Sequence, residues 1–166
     1  GKGVKRAMDT VAAIRKKAKK PATSFDKRAF PAKSTIDPSK LDAALGTKGQ
    51  AKDGMYKAVW GRDVHASCGC SVGKSMGVAT WAGFAGNDDD AVVDGDFAVL
   101  EPELQAVLKT LRDGGIEVVA IHHHMSGEEP RILFIHYWGR GRAADLAGVV
   151  KKALDQTAWA GRPKAV

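Results

Sequence analysis

Four of the five histidines fall within fifteen positions: His122, His123 and His124 in one run, then His136 beyond a turn. In an extended chain alternate side chains share a face, so His122 and His124 point together while His123 points away. Residues 116–124 and 131–138 are rich in β-branched and aromatic side chains. The intervening Met125-Ser126-Gly127-Glu128-Glu129-Pro130 reads as a turn, and together they predict a β-hairpin. If Gly127 lies opposite Arg131, position 122 faces position 136. A two-residue shift leaves the pair as diagonal neighbours, and a one-residue shift separates their faces. Two of these three registers bring His122, His124 and His136 together, a set suited to Zn(II) or copper, which take neutral imidazole nitrogens at about 2.0–2.1 Å. The competing reading caps His122 and His124 at a strand end and leaves His136 as a satisfied core residue.

Further ligands or a base would come from nearby carboxylates. Asp94 and Asp96 share a face of another expected strand, and Glu128 and Glu129 sit in the loop beside the histidines. Asp96 is the first candidate to orient a histidine or activate a bound water. Cys68-Gly69-Cys70 follows His65 at a spacing of three, with Met76 and Met125 as further soft donors. It is open to three readings: a second soft-metal site, a disulfide, or two free thiols. Arg62, Arg140 and Arg142 are candidates for anion binding, the last two in a Gly139-Arg140-Gly141-Arg142 run where a strand should hand over to a helix. Gly73-Lys74-Ser75 lacks the upstream glycine of a phosphate-binding loop.

The elements that must position these residues follow from periodicity. Short strands are expected at 55–60, 64–70, 77–84 and 91–100. A helix opens at Pro102, carries Leu104, Val107, Leu108 and Leu111 as one stripe, and stops at Gly114-Gly115. The hairpin and a last helix over 143–156 complete the order. Mostly short turns between strands predict an α+β fold: a mainly antiparallel sheet with two helices packed on one face. Asp37-Pro38 and Gly46 bracket a further short helix. The expected divisions are a basic helix and Pro-containing arm over 1–35, a compact domain over 36–158 and a tail over 159–166.

Charge is distributed unevenly along the 166 residues. The formal net charge is +7, yet the first twenty residues hold eight Lys/Arg against the single acid Asp9, so the remainder is formally neutral. A basic tail on a neutral body argues against a specific nucleic-acid function and leaves an anionic envelope component as the expected partner of the N-terminal helix. No apolar run approaches the roughly 20 residues of a membrane span. The start at Gly1-Lys2-Gly3, without an initiator Met, suggests a mature or trimmed form.

Several runs, taken in order, resemble a known family. They are Asp53-Gly54-Met55-Tyr56, Arg62-Asp63-Val64, Gly77 to Phe84, Gly95-Asp96-Phe97, Ile116-Glu117-Val118, Ile121 to Met125, Pro130, His136, and Gly139 with Gly141. Their order over about 36–156 resembles the LppY/LpqO family of exported bacterial proteins, some of them lipoproteins. The resemblance implies a periplasmic or envelope-associated protein and adds weight to His122, His124 and His136. His123 stands where the family pattern has Asn, and the Cys68-Gly69-Cys70 loop is atypical. The expectation is therefore an exported protein that binds Zn or Cu through these three histidines. One alternative is a hydrolase in which the same ion activates water. Another is a metal-free binder of an anionic envelope ligand through Arg62, Arg140 and Arg142.

Overall fold

A computed structural model describes residues 1–17 and 29–159; most of the expected Pro-containing arm and of the C-terminal tail lies outside them. Helix α1, Lys2–Lys17, carries Arg15, Lys16 and Lys17 in its last turn and exposes every side chain, Val4, Met8, Val11 and Ile14 included. Helix α2, Pro38–Leu45, begins as its sequence predicts. Asp37 accepts a hydrogen bond from the Ser39 amide, Pro38 occupies the first turn, and Gly46 ends the helix at φ 66. No helix among the described residues is long and apolar enough to cross a membrane.

Strands follow at β1 (Gln50–Lys52), β2 (Met55–Gly61), β3 (Val64–His65), β4 (Ser71–Val72), β5 (Ala79–Gly86) and β6 (Ala91–Leu100). Helix α3 (Glu101–Asp113), β7 (Glu117–His122), β8 (Ile132–Gly141) and α4 (Ala143–Leu154) complete the order. The fold is α+β, and its main sheet has six antiparallel strands in the order β1-β2-β5-β6-β8-β7. Strand β8 thus lies between β6 and β7, a placement that decides what surrounds the histidines. The single strand expected over 64–70 is instead two two-residue strands, β3 and β4, joined by a tight turn.

Alternation on each strand divides the sheet. Tyr56, Ala58, Trp60, Ala82, Phe84, Phe97, Ile135 and Tyr137 join one core cluster with Leu41 and Leu45 of α2, Val107 and Leu111 of α3, and Leu146, Val150 and Leu154 of α4. Ile36 belongs to the same cluster. Burial of these side chains is the main source of cohesion, at roughly 25 cal/mol per Å² of apolar surface removed from water. A smaller cluster combines Val64, Val72, Val78, Ala98, Ile132 and Phe134, so the β3–β4 lobe roofs one end of the sheet's other side.

Candidate functional site

The hairpin closes with the two-residue shift: His122 lies opposite Phe134, and Ala120 opposite His136. A bulge between Val118 and Ala120 accompanies this register. His122 and His136 are therefore diagonal neighbours, with ring centroids 4.8 Å apart and planes 19° from parallel. His124, just past the end of β7, brings its ring to 5.0 Å from that of His122 and stacks on Phe134 at 3.4 Å. All three expected histidines thus meet. His123 turns away, its Nδ1 lying 2.7 Å from the Ile132 carbonyl, which pins the start of β8.

Asp96 joins them because β6 is the other neighbour of β8, where Asp96 pairs directly with His136. Its Oδ2 lies 3.8 Å from both His124 Nε2 and His136 Nδ1, too long for hydrogen bonds. The carboxylate is 3% exposed, and its Oδ1 is buried without a hydrogen-bond partner among the described residues. Burial pushes its pKa up to about 6; His136 pulls it down, and Asp94 pushes it further up. The His124 pKa is lowered, first by burial and then by His122 and His136, while the Gly77 backbone opposes the shift. The buried carboxylate thus keeps one oxygen unpartnered beside the His124 and His136 rings, the kind of perturbed group that marks a candidate site.

The surroundings explain the Gly95-Asp96 pair. A Cβ at Gly95 would lie 2.2 Å from the Tyr137 hydroxyl and 2.4 Å from the Trp81 carbonyl oxygen. Tyr137 fills that space and donates to the Trp81 carbonyl at 3.0 Å, tying β8 to β5 across β6. Trp81 in turn pairs directly with Asp96. One row across the sheet is therefore Val59, Trp81, Asp96, His136 and Ala120. Trp81 was not foreseeable as a neighbour of Asp96, since no local spacing encodes the β5–β6 register.

The other candidates are placed elsewhere. Cys68 and Cys70 are joined in a disulfide in the exposed turn between β3 and β4. His65 uses its backbone to clasp Glu129, with reciprocal N–H to carbonyl bonds of 2.7 Å, and this holds the β3–β4 lobe against the loop that follows the histidines. In that loop Glu128 is buried at 5% exposure. One of its oxygens accepts from the Ile132 amide at 3.3 Å, and the other has no partner among the described residues. Glu129 is exposed.

The three arginines do not converge. Arg62 is buried and held by Glu103 through two bonds of 2.8 and 3.0 Å, and by the Ala158 carbonyl. Arg140 is bound to Asp90 at 2.8 and 2.6 Å. Arg142 is exposed, with its Nε 3.8 Å from Asp89. Arg62 follows the end of β2 at which Gly61 pairs with Ala79, whereas Arg140 pairs with Val92 at the opposite end of the sheet.

The family model for DUF1529, described as a Domain of Unknown Function (DUF1259), matches residues 39–156, from the first turn of α2 to just past the end of α4, and so covers the entire histidine site. The chain belongs to this family. No curated protein and no solved structure matches it. Among the described residues, no group of three or more His, Cys, Asp or Glu side chains stands in a metal-holding arrangement in the conformation described.

Proposed function

We propose that this DUF1529 protein binds a transition metal ion, Zn(II) or copper, through His122, His124 and His136, with Asp96 as the fourth donor. One observation carries the reading: a buried carboxylate with one oxygen unpartnered lies beside His124 and His136, and the His122 ring packs against both of theirs. The other carboxylate oxygen stands 3.8 Å from one nitrogen on each of two histidines. Donors at about 2.0–2.1 Å around a tetrahedral ion stand roughly 3.3 Å apart, so the two Asp96 contacts, to His124 and His136, would close by about half an ångström, and the nearly parallel His122 and His136 rings would turn to aim their nitrogens at one point. A cation would satisfy Asp96 and relieve the burial of its charge. The half-exposed edges of His124 and His136 leave the ion a path from solvent.

The resemblance to the LppY/LpqO family supports placing this protein outside the cytoplasm, at the periplasm or envelope. There α1 offers its lysines and arginines to an anionic envelope component. Helices α3 and α4 back the sheet on the side away from the histidines, which gives the site a rigid support.

A second reading, hydrolysis at the same ion, is favoured by the Asp96 pKa near 6, in the range that suits a general base. A bound divalent ion would supply a polarised water; Asp96 would hold its proton, and Trp81 would shield that carboxylate on the β5 side. Calorimetric titration of tag-free protein with Zn(II) and Cu(II) tests the proposal. Saturable binding at one ion per chain is expected, with at least a hundredfold loss in His122→Ala/His124→Ala. Equal, negligible uptake by both proteins would overturn it.

A further inference from the structure

The face that carries the histidines continues across β6, β5 and β2 to β1, and there it hollows. A trough of about 400 Å³ is lined by Trp81, which shares a row with Asp96 and His136, while Asp96 and the histidines themselves lie outside the lining. Its floor is made of small side chains. Gly83 sits between Lys57 and Asp94 in one row, and Ala85 pairs with Val92 in the next. The Trp81 ring leans over the floor, since a Cβ at Gly83 would touch its Cζ3 at 3.4 Å. Lys57 holds its ammonium 4.2 Å from the Trp81 ring centre, and Lys52 lines the same hollow from the edge strand. Neither lysine has a carboxylate partner among the described residues; Asp94, on the far wall, is the one acid in the lining.

We propose that this trough binds an organic monocarboxylate with a flat apolar body. Three features select that chemistry. Two cations without salt-bridge partners lie at the β1–β2 edge, where a carboxylate gains charge-assisted hydrogen bonds. The glycine and alanine floor beside the Trp81 indole offers a planar hydrocarbon a flat apolar bed that removes it from water. Asp94 sits opposite the lysines, which sets the ligand's direction, carboxylate toward Lys52 and Lys57, and repels a second anionic group at the other end. The arrangement has the usual form of a small-molecule site, a mostly apolar hollow with a few convergent polar groups. It does not rest on the histidines holding a metal.

The experiment is calorimetric titration of the intact, metal-free protein with 2-naphthoate and with its neutral analogue 2-naphthalenemethanol. Saturable binding of 2-naphthoate is expected, at least tenfold tighter than binding of the alcohol. Lys57→Gln should weaken it about tenfold. Gly83→Val should abolish it by filling the floor while keeping every charge; Gly83 has no left-handed backbone and only ordinary contacts at the Cβ position, so the variant should fold, as a thermal melt would verify. His122→Ala/His124→Ala should bind 2-naphthoate as the parent does. Equal affinity for acid and alcohol would overturn the carboxylate assignment. Undiminished binding by a folded Gly83→Val protein would overturn the location. Loss of binding in the double histidine variant would overturn the separation of trough from metal site, whereas failure of metal uptake alone leaves the trough unaffected.

Discussion

Replacing Asp96 by Asn should make the metal-free protein more stable at neutral pH and less so once metal is supplied. The carboxyl pKa is about 6 in the folded chain, and an unfolded Asp has about 3.9. The folded state therefore holds the proton more tightly. Above pH 6 both states are ionised and the fold bears the full penalty of the buried charge; between pH 6 and 4 the penalty shrinks, and below pH 4 both states are protonated and it vanishes. Two pKa units correspond to about 3 kcal/mol, or roughly 6–12 °C in melting temperature for a chain of this size. Asn keeps the shape without the charge, so Asp96→Asn should recover most of that at pH 7.5 in the presence of chelator, and almost none at pH 4. Zinc at a hundred times its dissociation constant would raise the parent by about 2.7 kcal/mol and leave the variant nearly unchanged, closing the gap. Thermal melts at the two pH values, with chelator and with zinc, read all of this. A variant no more stable than the parent at pH 7.5 in chelator, or a gain that persists at pH 4, would refute the view of Asp96 as a destabilising charge awaiting a cation.

Other perturbations test the frame around the site. Gly95→Ala drives a methyl into the Tyr137 hydroxyl and the Trp81 carbonyl; a loss of about 3 kcal/mol or more is expected in urea unfolding, with metal uptake impaired. Tyr137→Phe removes one buried hydrogen bond and should cost about 1–1.5 kcal/mol in the same assay. Glu103→Ala strands the buried Arg62 and releases the Ala158 amide, for an expected loss of about 3–5 kcal/mol. Cys68→Ser/Cys70→Ser opens a three-residue loop, so it should cost no more than about 1.5 kcal/mol; zinc and copper titrations should be unchanged, because the site needs neither sulfur.

Much of the scaffold was legible because it is locally encoded. Asp37-Pro38 with Gly46, the stripe of α3 and the alternation in β2, β6 and β8 each place an element within a few residues. The facing of His122, His124 and His136 also followed from strand parity. What stayed open or misled was non-local. The register depends on a bulge at Val118–Ala120, and nothing in the composition of β7 marks it. That Asp96 lies directly across from His136 depends on β8 inserting between β6 and β7, an order that no local spacing encodes. Arg62 and Arg140 looked like free anion ligands, because their acids, Glu103 and Asp90, are 41 and 50 residues away in sequence. The stretch 64–70 looked like one strand because its β-formers outweighed Gly69, whose φ of 78 turns the chain between β3 and β4.

Strand β8 carries two messages in alternate letters. Phe134 and His136 serve the reactive side, whereas Ile135 and Tyr137 hold the interior. His136 can change the chemistry with both cores left intact, whereas Ile132 and Phe134 also close the smaller core and Tyr137 also braces the strands that carry Asp96. Inserting or deleting one residue in this strand would transpose the two messages at once, so lineages of this family should vary β8 by replacement and hold its length fixed.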